Sequence, residues 1–135
     1  MSLNEEQRRD LVDLYWEKAM LTNQEMQVAI DGQSWSMAAN RMYYACFHAV
    51  TALLVADGHP VSTHLGAKIT FGKYYVKTGL ASPEDGRLFS QLESLREKSD
   101  YDILFRATEE DVAPILPRVA SFLDTIHNLL NRNKN

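Results

Sequence analysis

One cysteine, Cys46, stands in a chain of 135 residues. No disulfide framework can form within the chain, and no cysteine cluster can ligate a metal. The lone thiol lies in an apolar stretch and reads as a small buried hydrophobe. Positive charge is also short: the net charge is −4, which argues against a broad electrostatic footprint for nucleic acid but leaves room for a local basic cleft. No apolar run approaches the ~20 residues of a membrane span, so no membrane partner is expected. The segment MSLNEEQRRD lacks the apolar core of a secretory signal, and a reducing cytoplasm is the expected location. The sequence holds no glycine-rich phosphate loop, no Ser-His-Asp nucleophile elbow and no HExxH zinc helix, and no cofactor is expected. Alternating strand patterns, internal repeats and low-complexity linkers are missing as well.

What remains is helical. Hydrophobic residues make up 45% and charged residues 24% of the chain, the balance of a globular protein, and its length predicts a single domain over 1–135. A first helix starts at Asn4, with Glu5 and Glu6 suiting its dipole. Its apolar residues are Leu11, Leu14, Tyr15, Ala19, Met26, Val28, Ala29 and Ile30. A loose pattern between Met20 and Gln24 makes a bend there plausible, and Asp31-Gly32-Gln33 reads as a C-cap and turn. Ser34 caps a second helix that stops at Asp57-Gly58 before Pro60. A third, capped by Ser62 or Thr63, spans about His64 to Lys77 with Leu65, Ile69 and Val76 as its core stripe. Ser82-Pro83-Glu84-Asp85 starts a fourth, with Leu88, Leu92, Leu95 and Ser99 along one stripe. Thr108 to Asp111 forms a capping box for the last helix, and Pro117 is expected to kink it. Short loops between five such segments give an all-α antiparallel bundle of four to five helices.

The second helix carries the most informative stretch, NRMYYACFHA, from Asn40 to Ala49. It is apolar or small around most of its circumference, as a helix at a bundle centre should be. Yet Arg41, Tyr44 and His48, spaced i, i+3 and i+7, share one face. A buried arginine needs a partner, because unpaired buried charge is costly. With His64, Lys73, Arg96, Asp100 and Tyr101, these are the candidates for chemistry. Singly, each also has a plain structural reading: an arginine on a carboxylate, a core histidine, an intrahelical Arg96–Asp100 pair. Together they suit phosphate or nucleotide binding, since arginine offers bidentate donors and tyrosine stacks on bases. Histidine adds acid or base function near neutral pH. His48, His64 and Asp100 match no standard metal spacing, so no metal is expected.

Four separate pieces, NRMYYACFHAVTALL, STH, FGKYYVKTG and LREKSDYD, resemble the HEPN domain (higher eukaryotes and prokaryotes nucleotide-binding). More closely, they are similar to its small stand-alone bacterial and archaeal branch. The resemblance covers about Glu17 to Leu130. It implies a helical bundle that commonly pairs into a homodimer, in a family of metal-independent endoribonucleases, many of them toxins. Non-catalytic members bind RNA or nucleotides, and small members often sit beside a nucleotidyltransferase antitoxin. In the nuclease members an arginine is followed within four to six residues by a histidine, and the pair acts on an RNA phosphodiester. The arginine matches Arg96. The histidine has no match, because Glu97, Lys98, Ser99, Asp100, Tyr101 and Asp102 follow; the resembled branch carries an acid–tyrosine pair here. An aspartate accepts a proton but is a poor general acid at neutral pH. The resemblance thus implies Arg96, Asp100 and Tyr101 as catalytic residues, with a histidine supplied from His48 or His64. Arg41, Tyr44, His48, His64 and Lys73 are then RNA-binding or supporting groups, with Asp100 expected to be the acid that holds Arg41. The rival readings are a nucleotide-binding or partner-docking module, and a purely structural polar cluster.

Overall fold

In the computed structural model, which describes residues 2–60 and 63–132, the chain is all-α, with no strand among the described residues. Six helical segments run in order: α1 (Glu5–Asp31), α2 (Trp35–Ala56), α3 (His64–Phe71), α4 (Pro83–Tyr101), α5 (Glu109–Val112) and α6 (Leu116–Leu130). The long helices alternate in direction. Arg8 near the start of α1 donates to the Val55 carbonyl near the end of α2, and Glu25 near the end of α1 pairs with Arg41 near the start of α2. Along α4, Asp100 meets Asn40 while Glu93 reaches Tyr43. Arg118 of α6 donates to Gln91 of α4, and the His127 ring of α6 lies 5.2 Å from Trp16 of α1.

The central helix is α2, as its composition requires. Ala38, Ala45, Ala49 and Ala52 are fully buried along it. Side chains this small let neighbouring helices approach closely, and α2 touches α1, α3, α4, α5 and α6. Cys46 lies sealed among them, and burial pushes its thiol pKa well above the ordinary range. Phe71, Phe89 and Phe122 complete an aromatic core between α3, α4 and α6. Burying a side chain of this size contributes on the order of 1.5–3 kcal/mol. At the far end of α2, Asp57 accepts hydrogen bonds from Tyr75 and Arg132, which ties the ends of α2 and α6 to the turn after α3.

Helix ends follow the local chemistry closely. Asn4, Ser82 and Thr108 each close a capping box, with Gln7, Asp85 and Asp111 as the reciprocal partners. Asp85 replaces the usual Glu or Gln without loss of either bond, and Asp111 accepts from both the amide and the hydroxyl of Thr108. Ser34 occupies the cap position of α2 but makes no side-chain cap bond. Ser62 lies outside the described residues, and Thr63 caps α3 by accepting from the Gly66 amide at 2.8 Å. Helix α1 continues unbroken through Met20–Gln24, where Thr22 bonds back to the Lys18 carbonyl.

Three expectations change. The buried face of α3 carries Ala67, Phe71 and Tyr75, whereas Leu65 and Ile69 are exposed. Ala67, Phe71 and Tyr75 recur at i, i+4 and i+8 and so share a face that Leu65 and Ile69 do not; the large rings bury more area than the aliphatic pair, and Tyr75 lies in a π-turn at Gly72–Val76. Leu14 and Val28 on α1 also face solvent. Pro114 lies in a 3₁₀ turn and Pro117 follows at the start of α6. The expected kink is therefore a helix boundary, where the missing N–H has no intrahelical partner to lose.

The α1–α2 turn has a strained position. The Ser34 amide bonds to Ala29 and the Gln33 amide to Ile30, the two bonds of a Schellman motif. The left-handed residue is Gln33 at φ 56, while Gly32 is at φ −86. A side chain in that region costs about 1 kcal/mol that glycine avoids. Gln33→Gly should therefore raise the midpoint of a thermal melt by a few degrees; an unchanged or lower midpoint would contradict this.

Candidate functional site

Helix α4 buries Leu88, Phe89 and Leu92, and the next turn of that face presents Arg96. Arg96 is thus in the core stripe, not beside it, and only 6% exposed. Its guanidinium carbon lies 5.1 Å from the centre of the Tyr43 ring, 5.6 Å from Tyr44 and 5.8 Å from Tyr101. Each ring attracts the cation through its quadrupole, worth about 0.5–2 kcal/mol depending on desolvation. Carboxylates stay at a distance: Asp100 and Glu97 each approach to 3.9 Å. The Nε atom is buried without a hydrogen-bond partner, as is the hydroxyl of Ser99. A rigid fork of donors is thus held in place by aromatic faces, with no acid closing over it.

A second set of groups extends from Tyr43. Its hydroxyl lies 2.7 Å from His64 Nδ1 and 3.5 Å from Glu93, and Glu93 forms a 2.8 Å ion pair with Lys68. Burial, then the charge of Glu93, pushes the Tyr43 phenol pKa up, so it keeps its proton. The Tyr43 hydroxyl and His64 Nδ1 share one hydrogen bond, whose donor follows the histidine tautomer, and Nε2 is left as the ring nitrogen open to another partner. The His64 ring stacks on Phe47 at 4.3 Å and meets Tyr44 edge-on at 5.8 Å. His48 lies 6.0 Å from Tyr44, with Nδ1 buried and unpartnered. Burial, followed by the charges of Lys18, Arg41 and His64, lowers its pKa to about 4.

Of the sequence candidates, the fold gathers Tyr44, His48, His64, Arg96 and Tyr101 around one aromatic layer. Asp100 is near but is not the partner of Arg41. Arg41 pairs with Glu25 at 2.9 Å, and its Nε and Nη2 donate to the side-chain oxygen of Asn40. The amide nitrogen of Asn40 donates to Asp100 at 3.0 Å. A neutral asparagine therefore links the two, because the acid nearest Arg41 comes from α1. Lys73 lies apart, exposed on the π-turn with its ammonium over the Tyr74 ring. His48, His64 and Asp100 do not gather into a metal-holding group; no set of three such ligands occurs among the described residues. Tyr43, Glu93, Lys68 and Asn40 belong to the cluster but were not among the candidates. Glu93, one turn before Arg96, was the legible hint.

The HEPN domain model matches residues 12–129. The chain belongs to the HEPN family. A "UPF0332 protein" of Thermotoga maritima is 30% identical over 128 residues, covering 95% of this chain and 96% of that one. A Methanocaldococcus jannaschii protein with the name "Putative toxin" is 31% identical over 104 residues, 77% of each chain. A second "UPF0332 protein", from Archaeoglobus fulgidus, is 27% identical over 125 residues, 93% of this chain and 99% of that one.

Within this HEPN bundle two clefts border the cluster. A groove of about 910 Å³ between α1 and α2 has Glu25, Val28, Met37, Arg41 and Asp100 on its walls. A smaller cleft, lined by other residues of α1 and α2, has His48 and His64 on its walls. No helix among the described residues is long and apolar enough to cross a membrane. The lowered pKa of His48 has a definite sign. As pH falls from 6.5 toward 4, the unfolded chain binds the proton before the folded one, so folding loses stability over that window and keeps it in full above it. His48→Gln should flatten the wild-type decline of melting temperature between pH 6.5 and 4. Parallel declines in the two proteins would contradict the assignment.

Proposed function

We propose that this HEPN chain acts on RNA as the toxin-like, metal-independent endoribonuclease half of a two-gene module, with a nucleotidyltransferase as antitoxin partner. The observation that carries the reading is the Arg96 guanidinium, held under three tyrosine rings with no carboxylate among the described residues closer than 3.9 Å. Such a cation has donors to spare for a phosphodiester, and a dry aromatic setting strengthens its stabilisation of developing charge. Tyr101 ends α4 and is 77% exposed, so its ring is a removable cover. In the reaction, a histidine takes the proton of the 2′-hydroxyl, the 2′ oxygen bonds to phosphorus to give a 2′,3′-cyclic phosphate, and the P–O5′ bond breaks as the departing 5′ oxygen takes a proton from water. His64 and His48 both border Tyr44 and fill the role that the residues after Arg96 do not supply. Asp100 and Tyr101 orient the sugar and the leaving oxygen.

Arg96 is also packed in the core, so truncation to alanine mixes two effects. Arg96→Met keeps the apolar volume and removes the charge. In this reading it folds with native helix content, abolishes cleavage of mixed cellular RNA in the presence of EDTA, and relieves growth arrest on expression. Intact RNA with the wild-type protein, or equal cleavage by Arg96→Met, would overturn the reading.

The same reading pairs two chains so that two copies of Arg96 share one cleft. Directly after Tyr101, Ile103 and Leu104 are 98% and 94% exposed. Apolar side chains this bare beside a charged site support burial against a second copy. Ile103→Asp combined with Leu104→Asp should convert a dimer to a monomer in sedimentation analysis; a mass unchanged from wild type would contradict that interface.

One observation favours a non-catalytic alternative. Arg41 and Arg96 each lie 5.6 Å from the Tyr44 ring centre, an arrangement that suits holding a nucleotide phosphate beside a stacked base without turnover. Nucleotide binding that is lost in Arg41→Ala, with no RNA cleavage by wild type, would select it.

A further inference from the structure

Away from Arg96, across the Tyr43–Tyr44 layer, α1, α2 and the start of α3 enclose a cleft of about 490 Å³. Its walls include Tyr15, Lys18, His48, Thr63 and His64, over an apolar floor that includes Phe47. No carboxylate among the described residues lines it, although acids outnumber bases in this chain. Lys18 makes no ion pair among the described residues. The nearby acids are engaged elsewhere: Glu25 with Arg41, and Glu93 with Lys68. His64 Nδ1 is engaged by the Tyr43 hydroxyl at 2.7 Å, so Nε2 is the ring nitrogen left for a ligand on this wall. His48 Nδ1 is buried with no partner. His64 opens α3, whose first-turn amides and dipole add positive potential on that wall.

We infer that this cleft binds a phosphate group, with Lys18 and His64 as its principal ligands, His48 beside them and Phe47 forming the floor. The volume admits a mononucleotide unit. The phosphate is carried either by a free nucleotide or by an RNA strand that continues to Arg96. The site does not depend on Arg96 cleaving RNA. The electrostatics agree: the groups that hold His48 unprotonated, besides burial, are the positive charges of Lys18, Arg41 and His64. A bound anion offsets that repulsion, so His48 itself reports occupancy.

The test follows the histidine ring signals of the full chain by NMR while inorganic phosphate, adenosine 5′-monophosphate and a short RNA with 2′-O-methyl riboses are added separately. Saturable shifts of His48 and His64 are expected, with the titration midpoint of His48 moving up by about one pH unit. Lys18→Gln, on an exposed residue, should weaken the phosphate response about tenfold, as expected for the loss of one charged ligand. Arg96→Met should leave the inorganic-phosphate response unchanged, which separates this site from the RNA-cleaving reading. A response to adenosine 5′-monophosphate stronger than to phosphate identifies a free nucleotide as the ligand; a response stronger for RNA identifies the strand. No saturable shift at tens of millimolar phosphate, or a response equal in wild type and Lys18→Gln, overturns the inference.

Discussion

A guanidinium out of water is costly, and the way this fold meets that cost shapes the rest of the structure. Arg96 is stabilised by the faces of Tyr43, Tyr44 and Tyr101 rather than by a close carboxylate. A buried ion pair would have neutralised it and fixed its donors. Ring quadrupoles hold the cation by its flat faces and leave the N–H edges uncommitted. Two of the three rings come from α2, so the contact that holds the charge also clamps α4 to the central helix. The alanines of α2 belong to the same solution, because bulkier residues there would hold its neighbours too far out for such contacts.

The polar groups around this clamp sort into two roles. Glu25, Arg41, Asn40 and Asp100 form a partly exposed chain that joins α1, α2 and the end of α4. Exposed pairs of this kind are worth about 0–1 kcal/mol, so the chain orients more than it stabilises. Tyr43, His64, Glu93 and Lys68 form the other, tying the first turn of α3 to α4 through α2. Through it a histidine far from Arg96 in sequence comes to border the same tyrosines. His48 and His64 thus both border Tyr44, although no histidine directly follows Arg96 in the sequence.

Much of this was legible before any fold was seen. The capping residues Asn4, Ser82 and Thr108 and the stop at Gly58 depend on neighbours a few residues away. The face of α3 was not legible, since Leu65 and Ile69 look more core-like than Ala67, and the buried face is chosen by packing against α2 and α4. The site divides the same way. Arg96, Tyr44, His48 and His64 stood out as residue types on helical faces, and the resemblance singled out Arg96. The partners did not stand out, because Asn40 meets Asp100 across 60 residues and Tyr43 meets Glu93 across 50. Periodicity along one helix carries no information about such meetings. The acid nearest Arg41 was misjudged for that reason.

The proposed role of Arg96 is to place its charge against an RNA phosphate. The most direct measurement is the salt dependence of binding to an RNA that lacks reactive 2′-hydroxyls, for wild type and for Arg96→Met. If Arg96 neutralises one phosphate per chain, its loss should weaken binding and reduce the slope of log affinity against log salt by about 0.7 per site. Equal affinities and equal slopes, with both proteins fully folded, would show that the guanidinium under the tyrosines serves the fold alone.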